Sequence, residues 1–85
     1  MFSILIPTYN KLNYLKLCLS SIKKNSKFNH QIIIHINEGT DGSLEYVRNN
    51  RHEYTYSKIN EGICVSYNKA ASLAKNKYIV LMQDD

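Results

Sequence analysis

The sequence predicts an α/β fold: one small parallel sheet flanked by helices, in the order β-α-β-α-β-α-β, within a single domain spanning residues 1–85. Two observations carry the prediction. Apolar runs of strand length recur at Phe2–Ile6, Gln31–Ile36 and Lys77–Met82, nearly continuous rather than alternating, as strands covered on both faces must be. Between them lie segments whose apolar residues return every three or four positions, the period of an amphipathic helix. Strands alternating with helices pair in parallel through right-handed crossovers. A chain of 85 residues buries roughly 60–65% of its unfolded surface, enough for one sheet with a few helices and not for two domains.

Taken in order, Phe2-Ser3-Ile4-Leu5-Ile6 reads as a buried strand closed by Pro7. From Asn10 to about Lys24, Leu12, Leu15, Leu19 and Ile22 mark one helical face, with Asn10 or Asn13 as the cap. Gln31–Ile36 is the second strand. Asn37–Ser43 is rich in turn residues, and Ser43–Asn50 makes a short helix with Leu44 and Val47 inward. Glu53–Lys58 alternates and is rich in β-formers, which suits a polar edge strand. Asn60-Glu61-Gly62 turns the chain into a third helix, Val65 to about Lys75, with Ala70, Ala71, Leu73 and Ala74 against the sheet. Lys77–Met82 is the last strand.

Composition narrows the function classes. Hydrophobic content of 44% with 21% charged residues is ordinary for a globular chain, and the net charge of +4 is a mild excess of base. Lys11, Lys16, Lys23, Lys24 and Lys27 lie in or just after the first helix, where a solvated face explains them. No Arg-rich run with interleaved aromatics is present, so nucleic acid is not an expected partner. Cys18 and Cys64 both fall in apolar helical patterns without ligand spacing, which makes them small buried hydrophobes in a reducing compartment. Phe2–Ile6 is too short for the apolar core of a signal peptide, and no run approaches a membrane span. A cytoplasmic domain is expected, with attachment at the periphery of a membrane left open.

In a parallel sheet of this kind, ligands bind at the carboxyl ends of the strands. The loops there are Pro7–Asn10, Asn37–Ser43, Lys58–Gly62 and Gln83–Asp85, and the polar oddities of the chain gather in them. Pro7-Thr8-Tyr9-Asn10 places amides and a hydroxyl near a helix start, able to bond a base edge or phosphate, although capping explains Asn10 equally well. Asn37-Glu38-Gly39 sets a carboxylate beside a flexible turn, suited to a base imide, a ribose hydroxyl or a helix cap. Asn60-Glu61-Gly62, with Asn68 beyond it, reads on composition alone as a turn. Gln83-Asp84-Asp85 delivers carboxylates after an apolar run, a natural holder for a hard cation and the diphosphate it bridges. His30, His35 and His52 pair at no ligand spacing and read as surface or packed histidines.

Together, Ser3–Asn10, Leu15–Ile22, Asn37–Ser43, Asn60–Gly62 with Asn68, and Tyr78–Asp85 resemble the opening of a family 2 glycosyltransferase with the GT-A fold. The resemblance runs the length of the chain, with five motifs in order and spacing. It implies a Rossmann-like, GT-A type sheet of strand order 3-2-1-4 and the nucleotide-sugar-binding half of such an enzyme. By the same resemblance the donor is a nucleoside diphosphate sugar, most often a UDP-sugar. Pro7, Thr8, Tyr9 and Asn10 would line the nucleobase, Glu38 would contact the base, and Asn60, Gly62 and Asn68 would lie beside the nucleotide. Gln83, Asp84 and Asp85 match the acidic motif, so Asp85 would hold Mg2+ or Mn2+ on the diphosphate. Glu38 stands where the family more usually has Asp, and Gln83 where the first Asp of the motif is usual.

The family continues past this motif to its acceptor strands and general base, so the expected activity is sugar transfer to an unknown sugar, lipid or protein acceptor with the catalytic base outside these residues. The alternatives are a non-catalytic nucleotide or nucleotide-sugar module or truncated remnant, and an interaction domain working through an open sheet edge. Lys77–Met82, apolar on both faces yet placed at an edge, predicts association, as a homo-oligomer or with the rest of a longer protein.

Overall fold

A computed structural model describes residues 2–25 and 30–82. Strands β1 (Ser3–Tyr9), β2 (Gln31–Asn37), β3 (Glu53–Ser57) and β4 (Ile79–Leu81) form one sheet in the order β3-β2-β1-β4, every neighbouring pair parallel. Helices α1 (Leu12–Asn25), α2 (Ser43–Asn49) and α3 (Ile63–Ala71) fill the crossovers. The predicted class, order and connectivity are those observed.

Strand periodicity sorts the core into two layers. Even-numbered residues of β1 and β2 (Ile4, Ile6, Ile34 and Ile36) pack with Leu15 and Leu19 of α1 and Val47 of α2. Odd-numbered Leu5 and Ile33 face the other way, against Ala70 of α3. Burying a side chain such as Ile6 or Ile34 contributes about 1.5–3 kcal/mol, so the two central strands hold most of the apolar stabilisation. Alanines on α3 let its backbone lie close to the sheet. Leu73, expected among them, is instead exposed, because α3 ends at Ala71 and the chain turns there. Cys64 is exposed as well, on the outer side of α3, whereas Cys18 is half-buried.

Strand β1 does not stop at Pro7 but runs on to Tyr9. The reason lies in the pairing. Ser3 N–H donates to Tyr78 O and Met82 N–H to Leu5 O, so the odd residues of β1 turn their polar groups toward β4. The donor that Pro7 lacks belongs to that side, where β4 ends at Leu81, and the ladder to β2 continues unbroken through Thr8 and Tyr9. The cap of α1 also differs from expectation. Neither Asn10 nor Asn13 supplies it; Leu12 N–H donates to Asp41 Oδ2 at 2.9 Å, from the loop after β2.

Candidate functional site

The carboxyl ends of β1, β2 and β3 open onto one rim, and buried side chains on the α3 face lace their loops together. Asn37, the last residue of β2, is the centre. Its Nδ2 donates to Thr8 O at 3.3 Å and to Ser66 Oγ of α3 at 2.9 Å, while its Oδ1 accepts Glu61 N–H at 3.1 Å. Ser66 Oγ donates in turn to Gly62 O at 2.6 Å. One buried amide thus joins the end of β1, the turn after β3 and the start of α3. Such an amide is costly to leave unbonded and rigid when satisfied.

A second set of bonds ties the first two loops across the α1 side. Asn10, at φ 47°, accepts Thr40 N–H on Oδ1 at 2.9 Å. Asp41 spends one carboxylate oxygen on Leu12 N–H and the other on Ser43 N–H and Oγ at 3.1 and 2.6 Å. Burial would push this carboxyl up, but the Ser43 hydroxyl and the backbone N–H groups of Leu12, Ser43 and Asp41 itself outweigh it and hold the group below its ordinary value. Glu38 sits at φ 63° and its N–H donates to Ser57 O at 2.8 Å, which directs its backbone along the rim. Gly39 follows at φ 69°, where a Cβ would meet Ile36 Cγ2 at 2.6 Å, so only glycine fits this turn.

Thr8 carries the strongest sign of a ligand. It is 2% exposed, and its hydroxyl has no hydrogen-bond partner among the described residues. A buried hydroxyl left unbonded costs about 1–3 kcal/mol, and native structures rarely accept that without a use. The next residue, Tyr9, is 43% exposed at the strand end, its side chain directed to the opposite, α3 face of the sheet. An open depression at the start of α1 is lined by Asn10, Lys11, Leu12, Asn13, Tyr14 and Asp41.

The turn after β3 is built by Asn60, whose Oδ1 accepts Gly62 N–H at 3.1 Å, and by Gly62 at φ 83°, whose carbonyl opens α3. The rim therefore brings together Pro7, Thr8, Tyr9, Asn10, Glu38, Asn60 and Gly62. Asn68 stands apart, exposed on the outer flank of α3 in a shallow groove with Thr55, Tyr56, Val65, Lys69 and Ser72. Gln83, Asp84 and Asp85 lie outside the described residues. Among those described, no group of three or more His, Cys, Asp and Glu side chains is placed to hold a metal ion.

A polar series of His35, Thr55, Ser57, Glu61 and Lys69 completes the picture; the sequence marks His35 only as a surface or packed histidine, and it is packed. His35 is wholly buried on the α3 face, its Nδ1 2.6 Å from Thr55 Oγ1 and its Nε2 2.7 Å from Ser57 Oγ. Ser57 Oγ donates onward to Glu61, which also pairs with Lys69. Desolvation, with a smaller push from Lys69, lowers the His35 pKa against the opposing pull of Glu61, so the ring is neutral near pH 7. The Lys69 and Ser57 hydrogen bonds hold the Glu61 carboxyl low and ionised. A signal was present: in QIIIHIN and EYTYS the polar residues 35, 37, 55 and 57 share one strand parity, and hence one face.

Comparison with known proteins gives this geometry its context. Residues 3–85 match the family model described as Glycosyl transferase family 2. The chondroitin synthase of Pasteurella multocida (strain Pm70) is 34% identical over 89 residues, covering 100% of this chain and 9% of that protein. The abequosyltransferase RfbV of Salmonella typhimurium is 33% identical over 93 residues, covering 100% of this chain and 28% of its own length. The crystal structure of S. aureus TarS 1-349 shares the fold, with a TM-score of 0.86 at 23% identity over 99% of this chain and 27% of that one. The chain thus spans only 9% to 28% of the length of these relatives.

Proposed function

The chain belongs to glycosyl transferase family 2, and from that membership we propose that its sheet rim binds the nucleotide of a nucleoside diphosphate sugar, a UDP-sugar first among them, for transfer of the sugar to an acceptor. The observation that carries the reading is the Thr8 hydroxyl, buried and without a hydrogen-bond partner among the described residues, near the end of the central strand β1. A base edge or ribose hydroxyl seated there satisfies it. Tyr9 offers its ring to the base, and Glu38 offers an acceptor for an imide N–H. Asn60 and Gly62 close the far side, and Asn68 serves the donor only at its outer margin.

A divalent cation belongs to the same reading. Asp84 and Asp85 supply hard carboxylate oxygens and Gln83 an amide oxygen, the donor chemistry that Mg2+ or Mn2+ takes, and Asp85 is the residue assigned to it. A cation held by these residues would supply positive charge to the diphosphate leaving group. No described helix is long and apolar enough to cross a membrane. Self-association through the open edge of β4 completes the proposal.

Calorimetric titration with UDP, with and without Mn2+, tests it. Expected is UDP binding that Mn2+ strengthens and Asp85→Ala returns to the metal-free level. Absence of UDP binding under both conditions removes the site assignment. Sugar transfer or donor hydrolysis by the purified protein then separates an enzyme from a binding module.

A further inference from the structure

With a neutral His35 ring, the chain of polar groups from His35 to Glu61 has one consistent arrangement of protons. An ionised Glu61 carboxylate can only accept, so the single Ser57 hydroxyl proton goes to it. Ser57 Oγ must then accept from His35, which places a proton on Nε2. A neutral imidazole with Nε2 protonated has a bare Nδ1, and this accepts the Thr55 hydroxyl at 2.6 Å. Bonds therefore run in one direction from Thr55 through His35 and Ser57 to Glu61, where Lys69 closes the series. Glu61 is also the residue whose N–H is held by Asn37, between Asn60 and Gly62 of the rim turn. Buried strand residues thus fix a loop that reaches the surface.

We propose that His35 is a positioning residue for the donor site: through Ser57 it orients Glu61, and with it holds the Asn60–Gly62 turn in the conformation that meets the nucleotide. This rests on the reading of the rim as a nucleotide-sugar site. His35 touches no ligand itself. Its tautomer decides which way Ser57 donates, and that decides whether the Glu61 carboxylate is fastened to β3 or to Lys69 alone. The charged groups facing the ring are Glu61, from the turn, and Lys69, from α3. If His35 takes up a proton, Nδ1 becomes a donor that Thr55 must accept, and the one-way order of the series is lost.

Removing a wholly buried imidazole endangers the fold, so Ser57→Ala is the deciding variant and Ser57→Thr its rescue. The intact protein is titrated with UDP, while nitrogen NMR follows the His35 ring and the Glu61 amide. Expected at pH 7 is a neutral ring with its proton on Nε2. On acidification the wild-type Glu61 amide signal follows the His35 titration, and in Ser57→Ala it no longer does. UDP affinity falls about tenfold in Ser57→Ala, the order expected for losing a hydrogen bond to a charged group, and recovers in Ser57→Thr. A ring protonated on Nδ1, or a Glu61 amide indifferent to His35, overturns the proposal. So does a Ser57→Ala protein that binds UDP like wild type. If wild type binds no UDP while the NMR results are as expected, the donor reading fails and His35 remains coupled to the turn without a nucleotide to position.

Discussion

Thr8 shows how a single side chain can report on function through its cost. Its buried hydroxyl gives up water and gains no described partner, so replacing it by an isosteric apolar group should relieve the fold. Thr8→Val is expected to raise unfolding stability, by up to about 1–3 kcal/mol in urea titration, while weakening UDP binding roughly tenfold. A variant that is less stable and binds UDP normally would show that the hydroxyl is structural. His35 makes the opposite case, a buried group whose bonds are complete. Its folded pKa lies below the ordinary value of about 6.5, so from that pH downward the unfolded chain takes up a proton that the folded chain resists. Stability is fully kept above about pH 6.5 and falls as the pH drops toward the folded value. His52, lowered by burial alone, adds to the same slope, so His52→Gln isolates the His35 share. Urea midpoints at pH 7.5 and 5.5 should differ in that variant. Glu61 stays out of this window, since its lowered carboxyl loses stability only below about pH 4.3. Equal midpoints would mean that His35 does not titrate differently in the folded state.

At the scale of elements, Asp41 is a cap shared by two helices. One oxygen takes the first amide of α1 and the other takes the N–H and hydroxyl of Ser43, which opens α2. Asp41→Ala is expected to cost about 1–2 kcal/mol of stability, read by urea unfolding, and Asp41→Asn to recover part of it. A loss near zero would mean that water caps both helices as well. Sequence legibility divides at this scale. The strands and helices were readable because period and apolarity are local: QIIIHI is a strand and Leu12, Leu15, Leu19 and Ile22 a helix face wherever they occur. The strand order and the rim followed from the five motifs taken together. The pairings between distant residues were not readable. Leu12 with Asp41, Asn37 with Glu61 and His35 with Ser57 are separated by 29, 24 and 22 positions, and no local spacing encodes them. Pro7 was misread for a related reason, because its effect depends on which neighbour its missing donor would have faced, and that needs the register.

For the molecule as a whole, the two faces of the sheet are unequally covered. Helices α1 and α2 share a core that reaches Val80 of β4, while the core beneath α3 is centred on Leu5 and Ile33 of the two inner strands. Ile79 and Leu81, which pair with Ser3 and Leu5 and so share the α3 face, are left 46% and 59% exposed. Among the described residues, the same two carry backbone groups that no strand pairs. Because Tyr78 O and Met82 N–H turn toward β1, the N–H and C=O groups of Ile79 and Leu81 point to the open side. An edge that is both apolar and unpaired is a template for another strand. A second copy of this chain offers the same edge, and two β4 strands meeting across a two-fold axis would cover Ile79 and Leu81 on both. The net charge of +4 opposes association only weakly at physiological salt, where repulsion is screened within about 8 Å. Sedimentation velocity at tens of micromolar is expected to show a species heavier than the monomer. The double variant Ile79→Lys, Leu81→Lys should return it to the monomer, with its circular dichroism unchanged because neither side chain is in the core. A wild-type chain that sediments strictly as a monomer at these concentrations would show that the edge does not pair with itself.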